Sequence, residues 1–442
     1  SDSYRITWTG TQSGLSYANT TKDFKTFTKA ELSLPIQNTS VKTDIAYAIP
    51  GNTLGVTAEE AQYLLNKLDK VVNTGVVNPE ITVNIGETKE LADTKVTAEY
   101  SDGSQAEKTV IWNEDDLAKV DFNTEGTYKV SGTIRQISDQ TKDNYPFLLG
   151  RADPNVVAYN GKYYFISTTE ANSNTNIYVR ESDTITGLNK AEEHLIYDVA
   201  KGKAYGYDTP YNHWAPELHV VNGELCVFFS ANHGSDFNVQ SMFMKLTGSD
   251  PKNYEDWGEL HRFLNKDGGY LTEPYGGITL DMTHFVCKGK DYVVWAQRNF
   301  GKNGGTSDLW IGQIDPEKPY QLTSDAVKIV DCEYGWERNH TFVDEGPFAI
   351  VKEDKVYLTY SGGATDETYC VGMTVADLTG DVNLLDPNAW KKSNYPILTG
   401  FSVPGYNGPG HNSYVMDRDG TLINVFHARD DQGRFGRDAF LR

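Results

Sequence analysis

The chain has 442 residues, with 61 Asp and Glu against 40 Lys and Arg, for a formal net charge of −21 at neutral pH. That balance argues against nucleic acid or an anionic membrane surface as a partner and fits a neutral ligand. The length allows several domains with a sizeable core, and no apolar run approaches the roughly 20 residues that span a membrane. The 27 Tyr and 8 Trp suit β-sheet packing, with a minority free to stack on sugar rings. Cys226, Cys287, Cys332 and Cys370 show neither metal spacing nor Cys-x-x-Cys, so they do not fix a redox compartment. Cys226 and Cys287 sit in apolar strand contexts and read as buried thiols.

Residues 1–79 form a short mixed segment. Ser1-Asp2-Ser3-Tyr4 reads as a mature or excised start. A strand is expected over 4–9 and a hairpin over 15–27. Thr57-Ala58-Glu59-Glu60 is a capping box, and the apolar spacing after it predicts a helix over about 57–73. The segment reads as the end of an upstream propeller module, so further modules of a longer chain are expected. Residues 80–138 predict a small β-sandwich, with strands over 81–85, 96–100, 110–112 and 128–134 and turns at Asp102-Gly103 and Glu125-Gly126. No convergent polar cluster appears in it, which favours a spacer.

Residues 139–442 carry a repeat. Arg151-Ala152-Asp153-Pro154 leads into an apolar strand, an Asn160-Gly161 turn and a second apolar strand. Similar sentences open at Glu217, Asp281, Glu345 and His411, at intervals of 64, 64, 64 and 66 residues. That period suits four-stranded propeller blades, and five repeats predict a five-bladed β-propeller. The final repeat stops near Phe440-Leu441, so an outer strand is expected to be missing or supplied elsewhere. The fold class is therefore all-β, a propeller preceded by an immunoglobulin-like sandwich and a mixed segment.

Residues at one phase of the innermost strands converge on a propeller's axis. Any one of these acids alone would read as a strand-start residue, but Asp153, Glu217, Asp281, Glu345 and His411 at matched phase predict a shared central mouth. Mutual repulsion and burial there push some carboxyl pKa values up. One protonated and one ionised carboxyl near neutral pH is the requirement for glycosidic hydrolysis. Glu217 can bind sugar or merely hold Trp214, and His411 can be structural or a ligand to a hard cation. Trp214 and Trp336 are candidate stacking platforms, whereas Trp112 and Trp295 read as core. No Gly-x-Ser-x-Gly elbow supports a serine hydrolase.

Arg151-Ala152-Asp153-Pro154, Trp214-Ala215-Pro216-Glu217, Leu280-Asp281-Met282-Thr283, Val294-Trp295-Ala296-Gln297, Asp344-Glu345-Gly346-Pro347 and Gly408-Pro409-Gly410-His411-Asn412-Ser413 together resemble glycoside hydrolase family 43. The likeness covers 145–442. Tyr100-Ser101-Asp102-Gly103-Ser104 and the stretch from Gly126 to Ile134 resemble bacterial immunoglobulin-like domains of secreted enzymes. The resemblance implies inverting hydrolysis on a five-bladed propeller. It implies Asp153 as general base, Glu345 as general acid and Asp281 as the group that sets the acid's pKa. It also implies Trp214, Glu217 and Arg298 along the sugar pocket, and His411 as a central histidine associated with calcium or a water cluster.

The Trp-Ala-Pro-Glu and Val-Trp-Ala-Gln pair is most similar to the exo-acting α-L-arabinofuranosidase branch. The expected protein is a bacterial extracellular or cell-surface hydrolase that releases α-L-arabinofuranosyl units from plant polysaccharides or oligosaccharides. It needs no cofactor beyond a structural Ca2+ at the propeller centre. A β-xylosidase or arabinanase of the same fold, and a non-catalytic carbohydrate-binding propeller, are the alternatives, since this fold hosts many functions.

Overall fold

The computed structural model describes residues 3–10, 13–35, 55–68, 73–77, 79–87, 91, 94–101, 103, 105–134, 146–170, 174–301, 305–403, 405–430 and 436–441. The chain divides into two compact units, 1–132 and 133–442. In the first, β1 (Tyr4–Thr9), β2 (Ser16–Thr21) and β3 (Glu31–Leu32) form an antiparallel sheet. The second arm expected over 22–27 is instead a turn, because the Asp23 carboxylate accepts the backbone N–H groups of Lys25 and Thr26. Helix α1 (Ala58–Leu68) begins at the predicted capping box. Thr57 Oγ1 accepts the Glu60 N–H at 3.2 Å, and Glu60 Oε2 accepts the Thr57 N–H at 2.7 Å. Residues 69–72 of the expected helix lie outside the described residues.

A second sheet runs in the order β4 (Asn73–Val76), β5 (Lys95–Tyr100), β6 (Gln105–Trp112) and β7 (Gly132–Ile134). The strand expected over 81–85 is not formed: Gly86 N–H goes to the Phe122 carbonyl, and Glu87 N–H closes a turn onto Asn84. Of the strand expected over 128–134, only the last three residues pair.

Among the described residues, the second unit holds five sheets in sequence order. Sheet I is β8 (Arg151–Tyr159), β9 (Lys162–Thr169), β10 (Asn176–Ser182) and β11 (His194–Asp198). Sheet II is β12 (Trp214–Val221), β13 (Glu224–Asn232), β14 (Val239–Leu246) and β15 (Trp257–Arg262). Sheet III is β16 (Gly277–Cys287), β17 (Lys290–Asn299), β18 (Ser307–Asp315), β19 (Lys318–Leu322) and β20 (Val327–Val330), with both of the last two on β18. Sheet IV is β21 (Asp344–Lys352), β22 (Lys355–Gly362), β23 (Cys370–Asp377) and β24 (Trp390–Lys392), and sheet V is β25 (Tyr406–Met416), β26 (Leu422–Asp430) and β27 (Asp438–Leu441). The first hairpins close as the sequence predicts: Asn160 and Gly161 take φ of 46° and 75°, and Asn222 and Gly223 take 50° and 80°, the signature of type I′ turns.

Each first strand lies against the first strand of the next sheet, and β25 lies against β8. Apolar clusters fill the spaces between sheets. Ile166, Ile177 and Val179 of sheet I meet Leu218, Val227 and Phe229 of sheet II, and Val156 and Phe165 meet Val425 and Ala439 of sheet V. Sheets sandwiched on both faces explain why their strands read as near-continuous apolar runs rather than alternating ones. All four cysteines are free and buried. The outer edge missing from sheet V is supplied from the start of this unit: Leu148 bridges Ala439 on β27, with the Ala439 N–H donating to the Leu148 carbonyl at 2.8 Å.

Every first strand carries a bulge at one place. The register passes from Ala152↔Thr168 to Asn155↔Ile166, from Trp214↔Ser230 to Glu217↔Phe228, from Leu280↔Ala296 to Thr283↔Val294, from Glu345↔Ser361 to Phe348↔Thr359, and from Gly410↔His427 to Ser413↔Val425. The first extra residue is left-handed each time: Asp153 (φ 50°), Ala215 (44°), Asp281 (56°), Gly346 (56°) and His411 (46°). Four of these are not glycine, and each such residue is strained by ~1–2 kcal/mol, so the surroundings must hold them.

A hydrogen bond from the preceding sheet does so in four cases. Ala215 N–H donates to Thr168 Oγ1 at 2.7 Å, Asp281 N–H to Ser230 Oγ at 3.2 Å, His411 N–H to Ser361 Oγ at 2.6 Å, and Asp153 N–H to His427 Nδ1 at 3.1 Å. Removing one of these acceptors leaves a buried N–H unsatisfied. Thr168→Val is therefore expected to destabilise this unit by about 1–3 kcal/mol, read as a lower denaturant midpoint at unchanged slope. A midpoint equal to wild type would show that the hydroxyl does not hold the bulge.

Candidate active site

The bulges deliver the predicted residues to one place, with a revised phase. By register, the equivalents of Asp153, Asp281 and His411 are Ala215 and Gly346. Glu217 stands two residues after its bulge position and Glu345 one residue before. Both repeats pass the bulge with a small residue next to proline, Ala215-Pro216 and Gly346-Pro347, and a nearby acid obscured the true phase in the sequence. Asp153, Asp281 and His411 cluster directly: His411 Nδ1 is 3.3 Å from Asp153 Oδ1 and 3.9 Å from Asp281 Oδ2. Ligand atoms of Asp281, Glu345 and His411 lie within 4.8 Å of one another.

The carboxyl groups have opposite environments. Burial works against a charge on Asp153, but the Arg437 guanidinium overrides it and holds the carboxyl well below its usual range. Arg437 donates to Asp153 Oδ1 at 3.0 Å and is itself gripped by Glu170, which accepts from its Nε and from its backbone N–H at 2.6 Å each. His427 receives the Asp153 N–H on Nδ1, which places any ring proton on Nε2, and burial pulls its pKa down to about 3.

Glu345 and Asp281 go the other way. Burial, then the charges of Glu345 and Asp153, push Asp281 well above the carboxylate range. Burial pushes Glu345 up to about 7, although the Tyr369 hydroxyl, donating to Glu345 Oε1 at 2.6 Å, favours its charged form. Two carboxyls this close titrate as a pair, and the pair keeps a proton to near neutral pH. Asp281 is held in turn by the Gly346 N–H, which donates to its Oδ2 at 3.0 Å. Gly346 must be glycine twice over: its φ is 56°, and a Cβ there would stand 2.9 Å from the His411 ring.

The remaining predicted residues take varied places. Glu217 is buried beside the cluster and shares a hydrogen bond of 2.7 Å with His219 Nε2. Burial raises Glu217 to about 8 and lowers His219 to about 3, so a neutral acid donates to a neutral imidazole. Trp214, half-buried, precedes its bulge at the same register position as Glu345 and donates to Asn174 Oδ1 at 3.3 Å. Arg298, half-buried, lies on β17 two residues beyond Ala296, which pairs with the residue before the Asp281 bulge. Trp336 is half-buried, with its ring packed on Tyr360 at 5.9 Å and closely over Gly362 and Gly372. Trp295 is core as expected.

Among the described residues, His411 Nε2 is buried without a hydrogen-bond partner. A hard cation, however, requires several oxygens. The carboxyl oxygens near the His411 ring belong to Asp153, already paired with Arg437, and to the proton-sharing Asp281 and Glu345. Asp281, Glu345 and His411 could hold a cation where the carboxyls are ionised, with oxygens from outside the group completing its shell.

Sequence reasoning missed Arg437, Tyr369 and His427. None lies in the repeated first-strand sentence, and His427 becomes visible only once the register shows it opposite Gly410.

A hydrolase of the glycosidic type fits both this sheet arrangement and these paired carboxyls. Residues 144–442 match the glycosyl hydrolases family 43, and residues 76–137 match the bacterial Ig-like domain (group 4); the chain belongs to glycosyl hydrolase family 43. It is 34% identical over 284 residues to alpha-L-arabinofuranosidase B of Pyricularia oryzae, covering 63% of this chain and 54% of that one. It is also 34% identical over 287 residues to an extracellular exo-alpha-(1->5)-L-arabinofuranosidase of Streptomyces chartreusis, covering 64% of this chain and 81% of that one. The chain thus spans about half the length of the fungal relatives it matches. The crystal structure of an alpha-L-arabinofuranosidase from Lactobacillus brevis superposes with a TM-score of 0.59 at 29% identity, covering 67% of this chain and 91% of that one.

The buried Glu217 makes stability depend on pH. Its folded value of about 8 lies above the ordinary glutamate value, so the stability it contributes is present at low pH and is lost as pH rises through 8. Glu217→Gln, which keeps a donor to His219 but cannot ionise, is expected to gain melting temperature relative to wild type as pH is raised from 5 to 9. A difference that stays constant across that range would show Glu217 ionising normally.

Proposed function

We propose that residues 139–442 form a five-bladed β-propeller that hydrolyses α-L-arabinofuranosyl linkages with inversion at the anomeric carbon. The observation that carries this reading is the divergence of the carboxyl groups. Asp153 is held ionised by Arg437 while Glu345, beside Asp281, keeps its proton near pH 7. Pairs of acids driven apart in this way divide into base and acid. Asp153 takes a proton from water as the water oxygen bonds to the anomeric carbon. The bond from that carbon to the leaving oxygen breaks, and Glu345 gives its proton to that oxygen. Asp281 sets the proton affinity of Glu345. Trp214, Glu217, Arg298 and His411 line the sugar pocket, and no step uses a metal.

The five sheets, with β8 meeting both β12 and β25, support the propeller. The names of the relatives support the sugar, and an extracellular relative supports secretion and a plant polysaccharide or oligosaccharide substrate. The Ig-like family match supports reading the sheet of β4 to β7 as part of an immunoglobulin-like sandwich that acts as a spacer.

Aryl glycosides decide the reading. Wild type is expected to cleave an α-L-arabinofuranoside in preference to a β-D-xyloside, with the inverted sugar seen first by NMR. Glu345→Gln is expected to lose about 10²–10⁴-fold in kcat with a poor leaving group and much less with a 2,4-dinitrophenyl one. No cleavage of any member, together with glycan binding, would make the propeller a lectin. A preference for xyloside would reassign the substrate.

The pH profile tests the assignments further. Activity is expected to fall as pH rises through about 7, where Glu345 loses its proton. Tyr369→Phe removes the hydrogen bond that favours the charged form of Glu345, so the alkaline limb of kcat/KM should move to higher pH. An unmoved limb, or one moved to lower pH, would remove Glu345 from the acid role.

A further inference from the structure

Four of the five bulges are held by a side chain at one register position of the preceding second strand: Thr168, Ser230, Ser361 and His427. The fifth such position, opposite Leu280, is Ala296. Alanine offers no acceptor, and the bulge it would serve is the one at Gly346. There the N–H donates to Asp281 Oδ2 instead, at 3.0 Å. Ala296 is fully buried, as is Asp281 to within 4%, so solvent does not compete for that N–H.

We propose that Ala296 is a positioning residue: lacking a hydroxyl, it leaves the Gly346 N–H to the Asp281 carboxylate and thereby fixes that carboxylate beside Glu345. The break in the repeat falls at the one bulge adjoining both proton-sharing acids. A hydroxyl at 296 would complete the pattern of the other sheets and cut Asp281 loose. The inference rests on the reading of Asp281 and Glu345 given above. Asp281 would then lose the hydrogen bond that favours its charged form, keep its proton more readily and repel a charge on Glu345 less. Asp153, Arg437, His411 and Tyr369 around the pair are unchanged, so Glu345 would ionise at lower pH.

The test uses the full chain and compares Ala296→Ser, Ala296→Cys, Asp281→Asn and the Ala296→Ser/Asp281→Asn double variant on an aryl α-L-arabinofuranoside with a poor leaving group. Ala296→Ser is expected to lose about 10-fold in kcat, and its alkaline pH limb should move to lower pH. Ala296→Cys, larger but a weak acceptor, should lose less than the serine variant. In the Asp281→Asn background the serine should add no further loss, because it acts only through Asp281.

Wild-type activity and pH profile in Ala296→Ser, a cysteine variant more impaired than the serine one, or full additivity in the double variant would each overturn the proposal. So would a serine variant that fails to fold, since hydroxyls at 168, 230 and 361 are accommodated. If Asp281→Asn is impaired and Ala296→Ser is not, this inference alone falls. If Asp281→Asn is fully active, the role of Asp281 falls with it.

Discussion

The site depends on one backbone constraint, a left-handed residue in the bulge of each first strand. A regular strand would point successive side chains to opposite faces. The extra residue re-aims the side chain at that point, which is how Asp153, Asp281 and His411 reach one another from three different sheets. Non-glycine residues in this conformation cost energy. In four of the five sheets the structure meets that cost with a hydrogen bond from the second strand of the sheet before. Packing between sheets and placement of the site are therefore one device: a shift of one sheet against the next would release a bulge as well as open a core.

On that frame, electrostatics separate the acids by their second partners rather than by depth. Asp153 and Asp281 are equally buried, at 5% and 4% exposure, and burial alone would protonate both. Arg437, locked by Glu170, is what makes Asp153 the ionised member. Asp281 has a backbone N–H and no cation, and it faces Glu345. The difference of one guanidinium decides which of the two carboxyls is ionised.

Much of this was legible in the sequence, and the failures have physical causes. The strands and type I′ turns were readable because apolar runs bounded by Asn-Gly carry their own conformational signal. Asp153, Asp281 and His411 were found at their true phase. Ala215 and Gly346 were not, because an acid lay one or two residues away and charge was mistaken for position. In the first unit, the segment over 81–85 alternates like a strand but is drawn into turn contacts with Phe122 and Asn84, a tertiary preference that local pattern does not show. Arg437, Tyr369 and His427 act on the site from outside the repeated motif, so only the register reveals them.

Arg437 also links the charge on Asp153 to the meeting of the last sheet with the first. It immediately precedes β27, and β27 is stapled by Leu148 through Ala439. The neighbouring Gly150 N–H donates to Asp438 Oδ1 at 2.8 Å, one residue after Arg437 and three before Asp153. Asp153 and Arg437 therefore sit beside the join at which the last sheet meets the first. Without Arg437 the Asp153 carboxyl would be left with burial, which favours its neutral form. The electrostatic state that the proposed chemistry needs therefore depends on how the last sheet meets the first, not on Asp153 alone.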